Sequence, residues 1–218
     1  ILSGLRCLAE FTDESEKYRK YTRLITDVSK TLWEIILQAV VVRDEFTTLG
    51  HGDAWINNLM FRYDDDGAVT EVKLLDFQQT RYASPLIDLV YFIWTSANDE
   101  VRTHRLGELY QFYVQELNRN LKSVRCPENL TYEQLMDRMR TLSPLAMCMS
   151  AITHPFISEK PLGNVEPFFV EGNEEVCYNL YKPFFHDRDF RSNRLPKLLE
   201  ALETAGVFHY LEEYKNST

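Results

Sequence analysis

The chain has 218 residues, 44% apolar and 26% charged, with a formal net charge of −9. That length and apolar content suffice for a full hydrophobic core. The acidic balance argues against a nucleic-acid or anionic-membrane binder, although a local basic pocket for phosphates remains compatible with it. Four cysteines, Cys7, Cys126, Cys148 and Cys177, lie far apart with no C-x-x-C pair, which favours reduced thiols in a cytoplasmic protein over a disulfide framework or a zinc site.

The chain opens on Ile1 rather than Met, so it reads as a piece or a processed form of a longer protein, with no signal peptide or membrane span. Residues 1–12 carry too little pattern to assign. Asp13 and Glu16 have capping-box spacing. Tyr18, Tyr21, Ile25, Val28, Leu32, Ile35 and Ala39 follow at three- and four-residue steps, which predicts one core-facing helix from Asp13 to about Val42. Glu45 to Gly50 reads as a short strand or extended lead-in.

Next comes His51-Gly52-Asp53-Ala54-Trp55-Ile56-Asn57-Asn58. Two β-prone runs follow it, Leu59 to Tyr63 and Val69 to Leu75, separated by the turn Asp64-Asp65-Asp66-Gly67. The second run delivers Asp76-Phe77-Gln78. A hairpin brings the ends of its strands together, so it places Asp53, Asn58 and Asp76 within reach of one site. Phosphoryl transfer asks for this set: a carboxylate to orient an acceptor hydroxyl and take its proton, and hard oxygen ligands for magnesium beside the nucleotide phosphates. Asp53 suits the first task; Asn58 and Asp76 suit the second. The Asp64–Gly67 cluster lacks the alternate spacing and distal Glu of a calcium loop, and reads as a solvated turn. Trp55 either lines an acceptor pocket or packs under the loop, since aromatics serve both roles.

Ser84-Pro85 marks a helix start, and Leu86 to Trp94 is apolar almost all round, which predicts a buried helix. Asp88 lies within it and must be paired if it is buried; the alternative is a place on a solvent-facing strip. Asn98-Asp99 caps a further helix, with a stripe at Leu106, Leu109, Tyr113, Leu117 and Leu121 running to about Lys122. Thr131 and Gln134 form a capping box for a helix that Pro144 kinks within the apolar run Leu142 to Ile157. Met147 and Met149 read as core filler. Ser158 to Val170 reads as a loop, Glu171 to Phe185 as a weak helix, and Phe190 to Ala205 as a better one stopped by Gly206. His154, His186 and His209 share no ligand spacing and read as structural or solvated.

The run from His51 through Phe61, with Leu75-Asp76-Phe77-Gln78 and Arg81-Tyr82-Ala83-Ser84-Pro85 before Asp88-Leu89, resembles the ecdysteroid-kinase-like, or CHK-kinase-like, group. That group is related to choline kinases and aminoglycoside phosphotransferases. The likeness covers about residue 15 to the C-terminus and is weakest after residue 155. It implies an α+β, mainly helical fold: residues 1–218 as the C-terminal lobe of a protein-kinase-like fold, with the catalytic loop and metal site at 51–78 and a helical subdomain at 84–218. It also implies ATP and Mg²⁺ as cofactors and, as acceptor, an alcohol of a small molecule such as an ecdysteroid-like one. His51 then packs beneath the loop and Asp88 braces the loop backbone. Gln78 stands where protein kinases have Gly, so a flip of the Asp-Phe segment does not carry over.

The eight glycines include no G-x-G-x-x-G and no G-x-x-x-x-G-K. The phosphate cover, its Lys and the adenine site are therefore expected upstream, in an N-lobe of the same protein, and the chain alone is expected to be inactive. The alternative is a catalytically incomplete pseudokinase, or a module that binds a ligand or partner.

Overall fold

The helices that begin and end the chain share one core, and the stretch between them carries two small sheets. The computed structural model describes residues 1–41, 46–153, 156, 164, 166–170 and 172–217. It is mainly helical, and the two sheets are each two-stranded and antiparallel. Contacts group the chain into two units: Ile1–Ala39 with Ser143–Thr218, and Val40–Leu142.

In the first unit, α1 spans Leu2–Glu14, a 3₁₀ turn spans Arg19–Tyr21, α2 spans Thr22–Ser29 and α3 spans Leu32–Val40. The single helix expected from Asp13 is thus a series of shorter ones. Asp13 lies in the last turn of α1 instead of capping a new helix, and the helix ends at Glu14 because Ser15 turns extended at φ −91°, ψ 121°. The apolar face is nonetheless the one expected: Tyr18, Tyr21, Ile25, Val28, Leu32, Ile35 and Ala39 are all buried. The stepping survives the break between α2 and α3 because Thr31 donates to the Val28 carbonyl and Ile35 to that of Thr31, carrying the helical turn across.

The same unit contains α8 (Ser143–Ile152), α9 (Glu174–Phe185), α10 (Leu195–Thr204) and α11 (Val207–Ser217). A π-turn at Phe190–Arg194 leads into α10. Gly206, at φ +75°, ends α10 as expected, but α11 beyond it had no counterpart in the sequence pattern. The Tyr178 hydroxyl donates to the Glu10 carboxylate, and the Arg6 guanidinium lies 3.6 Å over the Tyr178 ring, which joins α1 to α9. Met147 is fully buried and Met149 nearly so. The four thiols are free, and burial pushes those of Cys7 and Cys148 up to about 12, leaving them protonated and unreactive. His186 and His209 are exposed. His154 and most of the Ser158–Val170 loop lie outside the described residues, although Glu166–Phe169 forms a 3₁₀ turn.

The second unit contains β1 (Thr48–Gly50), β2 (Leu59–Tyr63), β3 (Val69–Leu74) and β4 (Arg81–Ala83). β2 and β3 form the expected hairpin, with Leu59 opposite Leu74 and Phe61 opposite Val72. Asp64 closes its turn by accepting the Asp66 and Ala68 amides through Oδ1, and Gly67 supplies φ +80°. β4 was not anticipated; it pairs with β1, Gly50 opposite Arg81.

α4 (Pro85–Ser96) follows, with Ser84 at its N-cap and Pro85 at its start. Leu86, Ile87, Leu89, Val90, Ile93 and Trp94 are buried as their pattern required, each contributing about 1.5–3 kcal/mol. The stripe expected as one helix divides at Arg105 into α5 (Asp99–His104), capped by Asn98, and α6 (Leu106–Ser123). α7 (Tyr132–Thr141) begins at a capping box in which the Thr131 and Gln134 bonds both form. The chain breaks between Thr141 and Ser143 rather than merely kinking, because Pro144 has no amide proton to continue the ladder.

Candidate active site

The loop from His51 to Asn58 is held by one face of α4. Asp88 accepts the His51 amide through Oδ2 at 2.6 Å and the Gly52 amide through Oδ1 at 2.9 Å. One turn later the Tyr91 hydroxyl donates to Asp53 Oδ1 at 2.7 Å. Ser96 Oγ accepts the Ile56 amide at 2.8 Å. Two glycines make this close approach possible. A Cβ on Gly50 would lie 2.9 Å from Asp88 Oδ2, and one on Gly52 would lie 2.1 Å from the Gln79 carbonyl oxygen.

His51 is buried and ties the loop to the hairpin. Its Nδ1 accepts the Asp53 amide at 3.2 Å, so the proton is on Nε2, which donates to the Leu75 carbonyl at 2.8 Å. At the other end of the loop the Leu75 amide donates to the Asn58 carbonyl at 2.9 Å. Both ends of the loop thus meet the residue before Asp76. On the other side of Asp76, the Phe77 ring lies 4.8 Å from that of His51. These ties bring Asp76 to the loop that carries Asp53 and Asn58.

The Asn58 amide nitrogen donates to both Asp53 O at 2.9 Å and Asp53 Oδ2 at 3.0 Å. Because both neighbours are acceptors, the orientation of the amide is fixed, and its oxygen faces away from Asp53. Asp53 is therefore gripped on both carboxylate oxygens, by Tyr91 and by Asn58.

Asp76 is exposed and left-handed, at φ 60°, ψ 71°, a strained conformation for a residue with a side chain. Gln78 Nε2 donates to its Oδ2 at 3.2 Å. The Asn58 oxygen and the Asp76 carboxylate are both hard donors, carried by residues that precede β2 and follow β3. Among the described residues, no three His, Cys, Asp or Glu side chains gather as a metal centre, so a cation here would draw its remaining ligands from water or phosphates.

Trp55 is half-buried, and its indole nitrogen is enclosed with no hydrogen-bond partner among the described residues. Tyr91 was missed in the sequence. It stands three residues after Asp88, on the same side of the helix, and that spacing was the available clue. Tyr113, whose hydroxyl donates to the Pro85 carbonyl at 3.4 Å, is pushed up to about 12, by burial first and by the nearby Asp88 charge second. A cleft of about 820 Å³ lined by residues including Phe46, Tyr82, Leu130 and Arg138 contains none of the loop residues from His51 to Asn58.

A model of the ecdysteroid kinase-like family matches residues 1–126, more than half of the chain. The chain belongs to the ecdysteroid kinase-like family. Every residue of the candidate site described above, from Gly50 to Ser96, lies within the matched span. No curated protein and no solved structure matches the chain. Among the described residues no helix is long and apolar enough to cross a membrane.

Proposed function

We propose that residues 1–218 form the acceptor- and metal-binding lobe, of the kinase C-terminal type, of an ATP-dependent kinase that phosphorylates an alcohol group of a small molecule. Membership of an ecdysteroid kinase-like family points to kinase-like phosphotransfer. The observation that carries the finer reading is the grip on Asp53: both carboxylate oxygens are held in place, beside an amide whose oxygen is turned outward.

In this reading the acceptor hydroxyl donates its hydrogen bond to Asp53. As the acceptor oxygen forms its bond to the γ-phosphorus, the bond from that phosphorus to the departing ADP oxygen breaks. Asp53 takes the acceptor proton. Asn58 and Asp76 fit a magnesium ion, which supplies charge neutralisation on the phosphate oxygens. The strained backbone of Asp76, bracketed by two residues tied to the loop, keeps its carboxylate at the open end of the hairpin. Trp55, two residues after Asp53 and half-buried, is assigned to the lining of the acceptor pocket. The phosphate cover and adenine site are assigned to an N-lobe outside these residues.

The acceptor class rests on the family likeness, and a steroid alcohol of the ecdysteroid kind is the first to try. With Mg·ATP and a panel of small-molecule alcohols, an active form carrying Asp53→Ala is expected to lose about 10²–10⁴-fold in kcat, or about 3–5 kcal/mol of barrier. Retention of the parent rate would remove Asp53 from the chemistry and favour a binding module instead.

A further inference from the structure

Asp53 owes its orientation to a residue 38 positions away in the chain. Resting on the phosphotransfer reading above, we infer that Tyr91 is a positioning residue for Asp53: its hydroxyl fixes which carboxylate oxygen lone pairs face the incoming hydroxyl.

The geometry is direct. The Tyr91 hydroxyl donates to Oδ1 at 2.7 Å, while the Asn58 amide donates to Oδ2 at 3.0 Å. With one donor on each oxygen, the carboxylate plane cannot rotate without breaking one charge-assisted bond. Each oxygen keeps a further lone pair, and those define where an acceptor O–H can dock. A carboxylate on a free loop would lose that definition, and orientation is a large part of what a phosphoryl-transfer site supplies.

The supporting scaffold is rigid. Tyr91 sits in the middle of α4, one turn after Asp88, which holds the loop backbone at His51 and Gly52. Its flanking residues Leu89, Val90 and Ile93 are buried. The same helix therefore fixes the loop backbone through Asp88 and the side chain of the base through Tyr91. Tyr91 itself is half-buried, so its hydroxyl reaches the rim of the site while its ring is held by the helix.

The test is a double-mutant cycle between Tyr91→Phe and Asp53→Asn in the full-length protein. The readout is steady-state Mg·ATP turnover with water, and separately with ecdysone, as acceptor. Circular dichroism and thermal unfolding check the fold of each variant. Tyr91→Phe is expected to lower kcat roughly tenfold or more, the scale of a lost hydrogen bond to a charged group, with KM for Mg·ATP unchanged within twofold. In the Asp53→Asn background the same substitution is expected to have no further effect. Tyr91→His, which keeps a ring and an N–H donor, is expected to recover part of the rate and serves if the phenylalanine variant folds poorly. A parent-like kcat in Tyr91→Phe, a change confined to KM, or an equal loss in the Asp53→Asn background would overturn the role of Tyr91 while leaving the phosphotransfer reading intact. Full turnover by Asp53→Asn, or no turnover by the parent protein with water, ecdysone or any other alcohol of the panel, would overturn that reading and this inference with it.

Discussion

A methyl group on Gly52 would sit 2.1 Å from the Gln79 carbonyl oxygen, at a residue whose φ is +83°. Gly67, in the hairpin turn, has a similar φ of +80° but nothing within 4 Å of the same position. The pair separates two costs. Gly67→Ala is expected to lose only the backbone term of about 1–2 kcal/mol. Gly52→Ala adds a clash with backbone that must move, and is expected to cost about 2–4 kcal/mol. Urea denaturation of the two variants checks this; equal losses would mean that the loop does not pack against Gln79 as described. At this scale the candidate site could be picked out, because Asp53, Asn58 and Asp76 stand out by residue type and spacing along one loop and hairpin. Tyr91 was not, because its partner is distant in sequence and a tyrosine in an apolar run looks like core. The left-handed backbone of Asp76 was not legible either, since nothing in its residue type asks for it.

α4 acts on the loop through a single face: Asp88, then Tyr91, then Ser96. Removing the Asp88 carboxylate leaves the His51 and Gly52 amides without their acceptor. Asp88→Ala is expected to cost about 2–4 kcal/mol of stability, measured as the shift in the urea midpoint, with Asp88→Asn losing less because it keeps one acceptor oxygen. An unchanged midpoint would contradict the brace. A second element contact carries a pH signature. Lys20 at 2.6 Å and Tyr21 at 2.7 Å both donate to the Glu203 carboxylate. The Lys20 bond first, then that of Tyr21, holds this carboxyl below its ordinary 4.5. A lowered folded value means that the stabilisation is fully present above pH 4.5 and is lost as pH falls through the folded value. Glu203→Gln should therefore lower the urea midpoint at pH 7, and the gap from the parent protein should narrow as the pH is taken below 4.5. A gap independent of pH would point to packing instead. Hydrophobic stepping told which residues of Tyr18 to Ala39 face the core, but not where the helix stops. The apolar face is the same whether or not a turn intervenes, and the break at Ser15 is a backbone event. The strand Arg81–Ala83 is three residues long, too short for alternation to declare itself.

Over the whole chain, α+β character with a helical majority was readable from the many three- and four-residue periods and the single obvious hairpin. What the pattern did not contain was which helices share a core. Tyr178 reaches Glu10 and Tyr18 reaches the Pro196 carbonyl, contacts between the first and last parts of the chain that no local period encodes. The family match covers residues 1–126 and with them the whole candidate site. The central claim is that this site holds a magnesium nucleotide for transfer to an alcohol. Its most direct test is calorimetric titration of Mg·ATP into this chain and into a form extended upstream, each beside its Asp76→Asn variant. Binding is expected for the extended form and is lost in its Asp76→Asn variant. Absence of binding in both forms, or binding indifferent to Asp76, would contradict the claim.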